Sequence, residues 1–587
     1  MRERYVTDIE LTIESPFMFQ GLAPTAFGID ASQMRLSEDG PITIPGTLIQ
    51  GNIRAALSEI AEIHSNLVSQ EQVLNWFGAG SDDAGVGDPP RRLVTFHDFH
   101  ADTTLAEDPS HAVHRIAIDP NRGAVKHGAL QIIEMPYAVG ESVAFKGKMT
   151  SILTMEELQQ LHSAVEVAFS CLPAIGAFKS IGFGKITHYR VHAARRRQAS
   201  VPPSTWKART DDALIAVLCF DRPFLVDADQ VAGNVFVGKD IVPGSVIKGA
   251  LSWYADVTGV RGAVPGFDDA LTKIVIGHAF PIDKTSNDSP LPVIPAQPPL
   301  SLVSVPDGDQ EYRLADVLVA DGPCTFGGVV PGFSPWKSRM RPTPDPRSIC
   351  GWSSVATSYD TRVRHKTNEE SWASETADLF SLTAVRHDQH DWVCRIHRNG
   401  AEVDVFHQII DVLAGGLESV GKTKASISCA RIEPELKNSV NPLPNGLFAV
   451  TLQTDALLND PAAIRRSPNG QHDYDDYWQN VSNGSLKLVR CFSRHRLAGG
   501  YLAMRHRREA GIYDPFLITV AGSVFLLEAD DQGKNYLDQW AETGLPCLPS
   551  DPPLNWRTCP FVPENGFGAI RTNVVDHVTL GAGADVL

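Results

Sequence analysis

The chain has 587 residues and a net charge of −17, so it is too long for one ordinary domain and too acidic for simple nucleic-acid binding. An RNA-binding role would require basic residues concentrated on one surface. No run of about 18 apolar residues occurs, so we expect a cytoplasmic protein without a membrane span. Nine dispersed cysteines without a Cys-x-x-Cys pair argue against a cysteine-based zinc site. The first predicted element is a strand, in which Ile9, Leu11 and Ile13 alternate with polar residues.

A motif near the start recurs in the second half of the chain. Residues 44–51 read IPGTLIQG and precede a helical pattern, and residues 242–249 read VPGSVIKG and do the same. Proline ends the preceding strand, glycine permits an unusual backbone angle, and Thr47 or Ser245 is predicted to cap the helix. Such a helix start also favours a bound phosphate. We call these two segments the PG helices.

A second recurrence joins a helix to a glycine-rich loop and a strand. In the first half, Thr154 and Glu157 form a predicted capping box, and the loop that follows the helix, residues 176–185, reads GAFKSIGFGK. In the second half, the helical pattern VDVFHQIIDVL precedes residues 415–424, GGLESVGKTK. We call these segments loop 1 and loop 2. A weaker third version contains residues 565–570, NGFGAI.

Part of loop 2 imitates a nucleotide-binding P-loop. Residues 416–423 match GxxxxGK[ST], but a P-loop follows a strand and opens a helix. Here the predicted helix comes first and the strand second, so we reject nucleotide hydrolysis.

Composition divides the chain into three predicted units. The basic, proline-containing stretch 196–209 separates residues 1–195 from the rest. A second boundary near residue 440 divides the rest into 210–440 and 441–587.

The order of these elements in residues 1–195 resembles the RAMP superfamily of CRISPR-associated RNA-binding proteins. The residues that carry the resemblance are 27–30 (FGID), 44–54, 77–78 (FG), 92–94 (RLV) with Asp98, 115–140 and 176–185. The resemblance implies an α+β fold of tandem ferredoxin-like, βαββαβ domains with long loop and hairpin insertions. The first domain is similar to the backbone, Cas-seven-type subunits of type III complexes. Gln50 departs from the pattern, because a basic residue is common there.

Residues from about 210 onward resemble a different subunit, the handle-capping, Cas-five-type subunit of subtype III-D. The matching stretches are 242–251, 277–281, 298–302, 379–381 and 521–525. The resemblance implies a fusion in which the later part holds the repeat-derived 5′ handle of the guide RNA. Residues 440–510 are poorly explained by it, and the third loop lacks basic residues.

The resemblance implies a guide-RNA-binding subunit of a type III-like effector complex, with target cleavage at Asp30. Its partners would be the crRNA, the complementary target RNA, and the backbone, small and large subunits of the complex. Asp30 would act as a metal-dependent endoribonuclease residue, with Mg²⁺ or Mn²⁺, leaving a 2′,3′-cyclic phosphate. The alternative for Asp30 is a solvated loop aspartate that caps a turn.

Further residues are predicted to touch RNA. Asp119 and Arg122 lie at the tip of a hairpin that the family places between guide and target bases. The predicted contacts to the guide backbone lie on the two PG helices and the two loops: Gly46, Thr47, Gly51, Arg54, Lys179, Ser180, Gly182, Gly184, Lys185, Gly244, Ser245, Lys248, Gly249, Gly421, Lys422, Thr423 and Lys424. The sequence HDFH at 97–100 is interpreted as a structural strand rather than a metal cluster.

Two other functions remain open at this stage. The chain could be a non-catalytic scaffold that binds only the crRNA and neighbouring subunits, or a stand-alone endoribonuclease that processes precursor crRNA. The RNP1 signature with paired stacking aromatic residues is missing, which disfavours ordinary mRNA binding.

Overall fold

The fold is known from a computed structural model. The structure describes residues 1–21, 28–35, 40–78, 91–102, 107, 112–197, 201, 211–232, 235–284, 290, 292–307, 311–320, 322–331, 342–364, 380–435, 440–458, 474–499, 516–548, 554–557 and 559–586. Phe27 of the predicted cleavage loop, most of the predicted linker, and residues 501–510 lie outside the described residues.

The first unit is a seven-stranded antiparallel sheet with helices on one face. Its neighbours run β2-β4-β7-β1-β8, while β3 pairs with β7 and β9 with β1. A separate hairpin is formed by β5 and β6. The elements are β1 (Glu3–Glu14), β2 (Thr43–Ile44), α1 (Gly46–Ile63), α2 (Gln70–Phe77), β3 (Val94–Phe96), β4 (Phe99–Ala101), β5 (Ala112–Ile118), β6 (Val125–Glu134), β7 (Ser142–Leu153), α3 (Met155–Cys171), a 3-10 turn (Lys179–Ile181), β8 (Lys185–Val191) and β9 (Arg195–Arg196).

The second unit contains a six-stranded sheet and a large insertion. The sheet runs β13-β20-β10-β22-β21, with β14 also on β20, and β11, β12, β18 and β19 form a separate four-stranded sheet. The elements are β10 (Ala213–Phe220), β11 (Ala228–Ala232), β12 (Val235–Gly238), α4 (Gly244–Thr258), α5 (Val260–Ala263), α6 (Phe267–Lys273), β13 (Val275–Ile276), β14 (Phe280–Asp283), β15 (Leu302–Pro306), β16 (Tyr312–Asp316), β17 (Cys324–Phe326), α7 (Pro346–Ile349), β18 (Tyr359–Arg364), β19 (Phe380–Val385), β20 (His390–His397), α8 (Val403–Ala414), β21 (Leu417–Val420) and β22 (Ala425–Pro434).

The third unit has a four-stranded sheet, β24-β27-β23-β28. Its last strand, β29, returns to pair with β17 of the second unit. The elements are β23 (Phe448–Leu452), α9 (Tyr474–Val481), β24 (Leu486–Phe492), β25 (His495–Ala498), β26 (Phe516–Thr519), β27 (Val524–Ala529), α10 (Asp531–Thr543), a 3-10 turn (Pro563–Asn565), β28 (Ile570–Thr572), α11 (His577–Gly581) and β29 (Ala584–Val586).

The three main sheets share one strand order. In each, the first strand lies between the third and the fourth, and the second strand lies outside the third. A helix follows the first strand and another follows the third: α1 and α3, α4 and α8, α9 and α10. The chain is therefore α+β, as predicted, with the same crossover plan used three times. No helix in the described part of the chain combines the length and hydropathy needed to cross a bilayer.

Sequence patterns account for much of this local structure. Ile9, Leu11 and Ile13 are fully buried on the helix-covered face of β1, as their alternation predicts. The capping box of Thr154 and Glu157 is confirmed at the start of α3. The predicted caps of the PG helices are wrong.

In both PG helices a proline, rather than the predicted Thr47 or Ser245, is the N-cap residue. Pro45 and Pro243 are the N-cap residues of α1 and α4, and neither helix has a side-chain cap bond. Thr47 and Ser245 therefore lie within the first turn of each helix, where their hydroxyls do not close the helix start.

Candidate RNA interface

Loop 1 lies beside the second turn of α1. Lys179 and Ser180 are exposed in the 3-10 turn, and Lys179 Nζ lies 3.4 Å from Asn52 Oδ1 on the helix. Gly51, next to Asn52, is exposed, and a Cβ built there would meet no atom within 4 Å. The structure thus brings loop 1 and the PG helix, two separate sequence motifs, to one open surface.

Three of the predicted RNA-contacting glycines instead serve close packing. A Cβ on Gly46 would lie 2.2 Å from Phe96 O, one on Gly244 1.8 Å from Ile276 O, and one on Gly184 1.9 Å from Ile175 O. These glycines let backbone segments approach where no side chain fits. They are buried and offer no surface to RNA.

The first amide of each PG helix already has a partner inside the protein. Gly46 N donates to Asp98 Oδ1 at 2.7 Å, and Gly244 N lies 3.4 Å from His278 Nδ1. Asp98 lies between β3 and β4, and His278 lies between β13 and β14, so the two residues have corresponding places in their sheets. The two units therefore repeat this contact to the first helix amide. A phosphate at these helix starts would have to use amides later in the first turn.

Lys248 is the clearest departure from the predicted contacts. Its side chain is completely buried, and Nζ donates to Ile274 O at 2.9 Å and Glu564 O at 3.1 Å. Burial lowers the pKa of this amine to about 7. Lys248 therefore holds α4 to the third glycine loop and does not face a guide phosphate. The helical spacing to Leu251 and Ala255, both buried, was the sequence signal for this position.

Loop 2 is the turn of a hairpin between β21 and β22. The expected order of helix first and strand second is confirmed, but the short strand β21 was not predicted. Lys422 is exposed at the turn and its amide donates to Leu225 O at 2.8 Å. Thr423 Oγ1 is buried and has no hydrogen-bond partner among the described residues. The turn therefore exposes the side chain of Lys422, while its backbone is held by the bond to Leu225.

Arg92 connects loop 2 to the first PG helix. Its guanidinium donates to Gln50 Oε1 at 2.9 Å and to Lys424 O at 3.0 Å. Burial, with Arg222 nearby, lowers the pKa of Arg92 to about 9. Gln50 on α1 thus binds a basic side chain that comes from another element. Sequence reasoning placed Arg92 only in a strand motif, because the contact crosses two units.

These contacts link both loops to α1: the pair of Gln50 and Arg92 is buried beneath the helix, whereas Lys179 meets Asn52 at the surface. We call this set of residues the loop–helix strip. Gln50 and Asn52 are its central residues, since the first binds Arg92 and the second binds Lys179. The members of the strip are Thr47, Gln50, Gly51, Asn52, Arg92, Lys179, Ser180 and Lys422.

The other predicted contacts flank this strip. Lys185 is exposed and pairs with Glu14, with Nζ and Oε2 3.1 Å apart. Gly249 faces Arg91, whose guanidinium lies over the Trp253 ring at 5.6 Å. The remaining predicted positions do not line up as one surface feature; Gly182 is exposed, and Arg54, Ser245, Gly249, Gly421, Thr423 and Lys424 are half-buried.

A buried seam of arginines fixes the first unit against the second. Arg4 donates to the carbonyls of Gly415 and Gly416 at the end of α8, and lies over the Tyr254 ring at 4.2 Å. Arg197 pairs with Glu418 at 2.6 Å. These contacts join the edge of the first sheet to the root of loop 2.

A second part of the seam involves the HDFH segment. His97 Nδ1 lies 2.8 Å from Asp221 Oδ2, and its Nε2 lies 3.1 Å from Thr150 Oγ1. Arg222 pairs with Asp221 and donates to Phe96 O at 3.1 Å. His97 is thus a buried structural residue, and the described residues contain no cluster of three or more histidine, cysteine or carboxylate groups arranged to hold a metal ion.

The hairpin of β5 and β6 projects an exposed tip. Asp119 Oδ1 accepts from Asn121 N at 2.9 Å and Arg122 N at 3.3 Å, so it shapes the turn. Ile116 and Ile118 are 54% and 60% exposed. An apolar hairpin held in solvent is unusual for a surface element, and it is suited to insertion into another macromolecule.

Asp30 lies at the base of that hairpin. It is exposed, and Oδ2 accepts from Ile132 N at 2.7 Å while Asp30 N donates to Ile132 O at 2.8 Å. Ala31 continues the contact by pairing with Ile133. One carboxylate oxygen of Asp30 is therefore bonded to β6, 102 positions away in the chain, rather than to a neighbouring turn.

The surroundings of Asp30 fit a divalent cation only in a limited way. One carboxylate oxygen binds the backbone, and no second carboxylate is bonded to the aspartate in the described residues. Mg²⁺ is commonly held by one or two carboxylates together with substrate phosphates. Asp30 could therefore hold a cation jointly with RNA.

No protein-family profile and no curated protein sequence matches the chain. It is similar to a chain in "Cryo-EM structure of the Type III-B Cmr-beta bound to cognate target RNA", with 12% identity, a TM-score of 0.24, and coverage of 32% of this chain and 61% of that chain. It is also similar to a chain in "Cryo-EM structure of the Type III-B Cmr-beta bound to cognate target RNA and AMPPnP, state 1", with 11% identity, a TM-score of 0.30, and coverage of 55% and 88%. This chain spans less than two thirds of the first of these. Both TM-scores are low, so the function proposed below rests on the sequence resemblance and on the geometry of the chain itself.

Proposed function

We propose that this chain is a guide-RNA-binding subunit of a type III-like CRISPR effector complex and that Asp30 cuts the complementary target RNA. In this proposal the three sheets are tandem ferredoxin-like RAMP domains. Residues 1–195 form the backbone-type unit, and residues 210–440 and 441–587 form a handle-capping unit that holds the crRNA 5′ handle. Partners are the crRNA, the target RNA, and backbone, small and large subunits.

The observation that carries the proposal is the loop–helix strip. The polar bonds of Arg92 and Lys179 join two glycine-rich loops from different units across α1. The exposed members of the strip are the ammonium groups of Lys179 and Lys422, the hydroxyls of Thr47 and Ser180, and the open Gly51, with Arg92 and Gln50 buried beneath them. Such groups suit a sequence-independent grip on a sugar-phosphate chain. The acidic excess of the whole chain does not oppose this, because the strip itself is cationic.

The hairpin and Asp30 supply the cleavage part of the proposal. Exposed Ile116 and Ile118 would wedge between base steps and splay a nucleotide of the target. Asp30, tied to β6, would then lie beside the splayed nucleotide. Alignment of the 2′-hydroxyl with its phosphate supplies much of the rate in such a reaction.

The chemistry at Asp30 is a transesterification. Its carboxylate accepts the proton of the 2′-hydroxyl, the 2′-oxygen bonds to phosphorus, and the bond to the 5′-oxygen breaks. The products are a 2′,3′-cyclic phosphate and a 5′-hydroxyl, whose proton comes from water. A divalent cation, when bound, would neutralise charge on the phosphate.

The first test is to co-express the chain with its genomic neighbours, purify the complex and sequence the RNA in it. Discrete RNAs that share one short repeat-derived 5′ tag are expected. Random cellular RNA, or none, would refute guide binding.

The second test concerns cleavage. Asp30→Asn keeps an oxygen that can accept from Ile132 N but removes the charge, so it is expected to abolish one cut while guide RNA is retained. Asp102→Asn, at a half-buried aspartate paired with Lys146, is the control and should cut normally. Unchanged cutting by Asp30→Asn with guide retained would favour the scaffold alternative. Cleavage of repeat RNA by the lone chain would favour precursor processing.

A further inference from the structure

A cavity between the second and third units belongs to none of the surfaces described so far. Its volume is about 750 Å³. Ile215 of β10 and Arg395 of β20 line one side, and Arg571 of β28 and the last turn of α10 line the other. Cavities of about 300–1,000 Å³ are typical of small-molecule sites.

One cation in this cavity makes no side-chain hydrogen bond with a described residue. Arg571 pairs with Thr451 only through its backbone, and burial lowers the pKa of its guanidinium. Glu435 lies near enough to favour its charge, but Glu435 is already bound by Arg395. Glu542 lies 3.4 Å from His397 Nε2. The wall thus holds two carboxylates, of which Glu435 is bonded to Arg395, and the side-chain donors of Arg571 remain for a ligand.

The rest of the wall combines apolar side chains with polar ones such as Gln453 and Thr454. Phe280, Ile294 and Phe567 contribute to it, and Val293 forms a lip that is 78% exposed. Burial lowers the pKa of His278, another wall residue, to about 4, so its imidazole is neutral near pH 7. A ligand that fits would carry one negative end and one flat apolar end.

We propose that this cavity binds a nucleoside monophosphate, with its phosphate on Arg571 and its ring system against the apolar wall. A guanidinium binds phosphate through two parallel hydrogen bonds, which explains why an arginine is suited to this position. Aromatic and aliphatic side chains bury a flat ring without requiring a specific base. The nucleotide has two conceivable sources, a free mononucleotide and the terminal nucleotide of an RNA.

The test titrates the full-length chain, freed of nucleic acid, with AMP, UMP, the two nucleosides and inorganic phosphate in a calorimeter. Both nucleotides are expected to bind more tightly than either fragment. Arg571→Met is expected to weaken nucleotide binding by about tenfold to a hundredfold, the usual effect of losing a charged hydrogen-bond partner. Arg490→Met, on β24 of the same sheet and outside the cavity, should bind as the parent does.

A second variant covers the case in which Arg571→Met does not fold. Val293→Asp places a carboxylate on the exposed lip and should also weaken binding, whereas Val293→Asn should do so far less. Absence of nucleotide binding by the parent, or equal binding by the parent, Arg571→Met and Val293→Asp, would overturn the proposal. A 5′-phosphorylated dinucleotide that binds as tightly as AMP would identify an RNA end as the source, and binding of mononucleotides alone would identify a free ligand. None of these results depends on guide binding at the loop–helix strip.

Discussion

Replacing Lys248 by methionine is expected to change how the stability of the chain depends on pH. The buried ammonium group donates to the carbonyls of Ile274 and Glu564 and lies 5.3 Å from the centre of the Trp556 ring, and its pKa is lowered from 10.5 to about 7. Between these two values the unfolded chain holds a proton at this position that the folded chain has released. Stability therefore rises with pH in that window and is lowest below about pH 7.

The size of the effect follows from this difference in bound protons. From about pH 7 to about pH 9 the folded side chain goes from half-protonated to neutral, while the unfolded one stays charged, which corresponds to about 2 kcal/mol. For a cooperative unit of about 150–250 residues this is a shift in Tm of about 4–8 °C. Lys248→Met removes the titrating group, so the difference in Tm between parent and variant should change by that amount over the window.

Scanning calorimetry of both proteins at matched pH values measures this difference. Lys273→Met removes an exposed lysine that pairs with Asp269 on α6, and serves as a control with no comparable pH trend. A difference between parent and Lys248→Met that stays constant with pH would show that Lys248 does not change its protonation in the window. A difference of the opposite sign would refute the burial argument itself.

Three further outcomes are expected from the strip and the PG helix. Gly46→Ala should destabilise the first unit by about 2–4 kcal/mol in calorimetry, because its Cβ would lie 2.2 Å from a carbonyl oxygen, and an unchanged Tm would contradict this packing. Gly51→Ala should instead stabilise α1 by about 0.5–1 kcal/mol, yet weaken guide binding in a filter assay if RNA packs there. Arg92→Met should reduce guide retention more than Lys185→Met does, because Arg92 is bonded to both Gln50 on α1 and Lys424 in loop 2; equal retention in the two variants would remove Arg92 from the strip.

Local features were the most predictable from sequence. The alternation in β1 and the capping box of α3 depend on neighbouring residues alone, and both are confirmed. The predicted caps Thr47 and Ser245 were wrong because proline itself takes the cap position in both PG helices. Residues 440–510 gave no clear pattern, yet they contribute α9 and β24, which complete the third repeat of the strand order.

The site was predictable only where its residues belong to a motif. Loop 1 and the first PG helix could be recognised separately, but their contact through Asn52 and Lys179 is a tertiary feature. The contacts of Asp98 and Arg92 could not be predicted for the same reason, because their partners are 52 and 332 positions away in the chain. Lys248 was misplaced because its charge was given more weight than its position on the buried face of α4. The functional roles of Asp30 and of the hairpin tip stay predictions.

The contacts of the arginine seam should hold the first two units together after folding even when the peptide link between them is cut. Three arginines bind groups on the opposite side of a buried boundary: Arg4, Arg197 and Arg222. In an isolated half these charges would lose their partners or become exposed to solvent. The linker then mainly raises the local concentration of one half around the other, as a tether does for two binding partners. Two separately encoded polypeptides, divided within residues 202–210 and produced together, should assemble into the same particle, and neither should accumulate as a stable monomer alone.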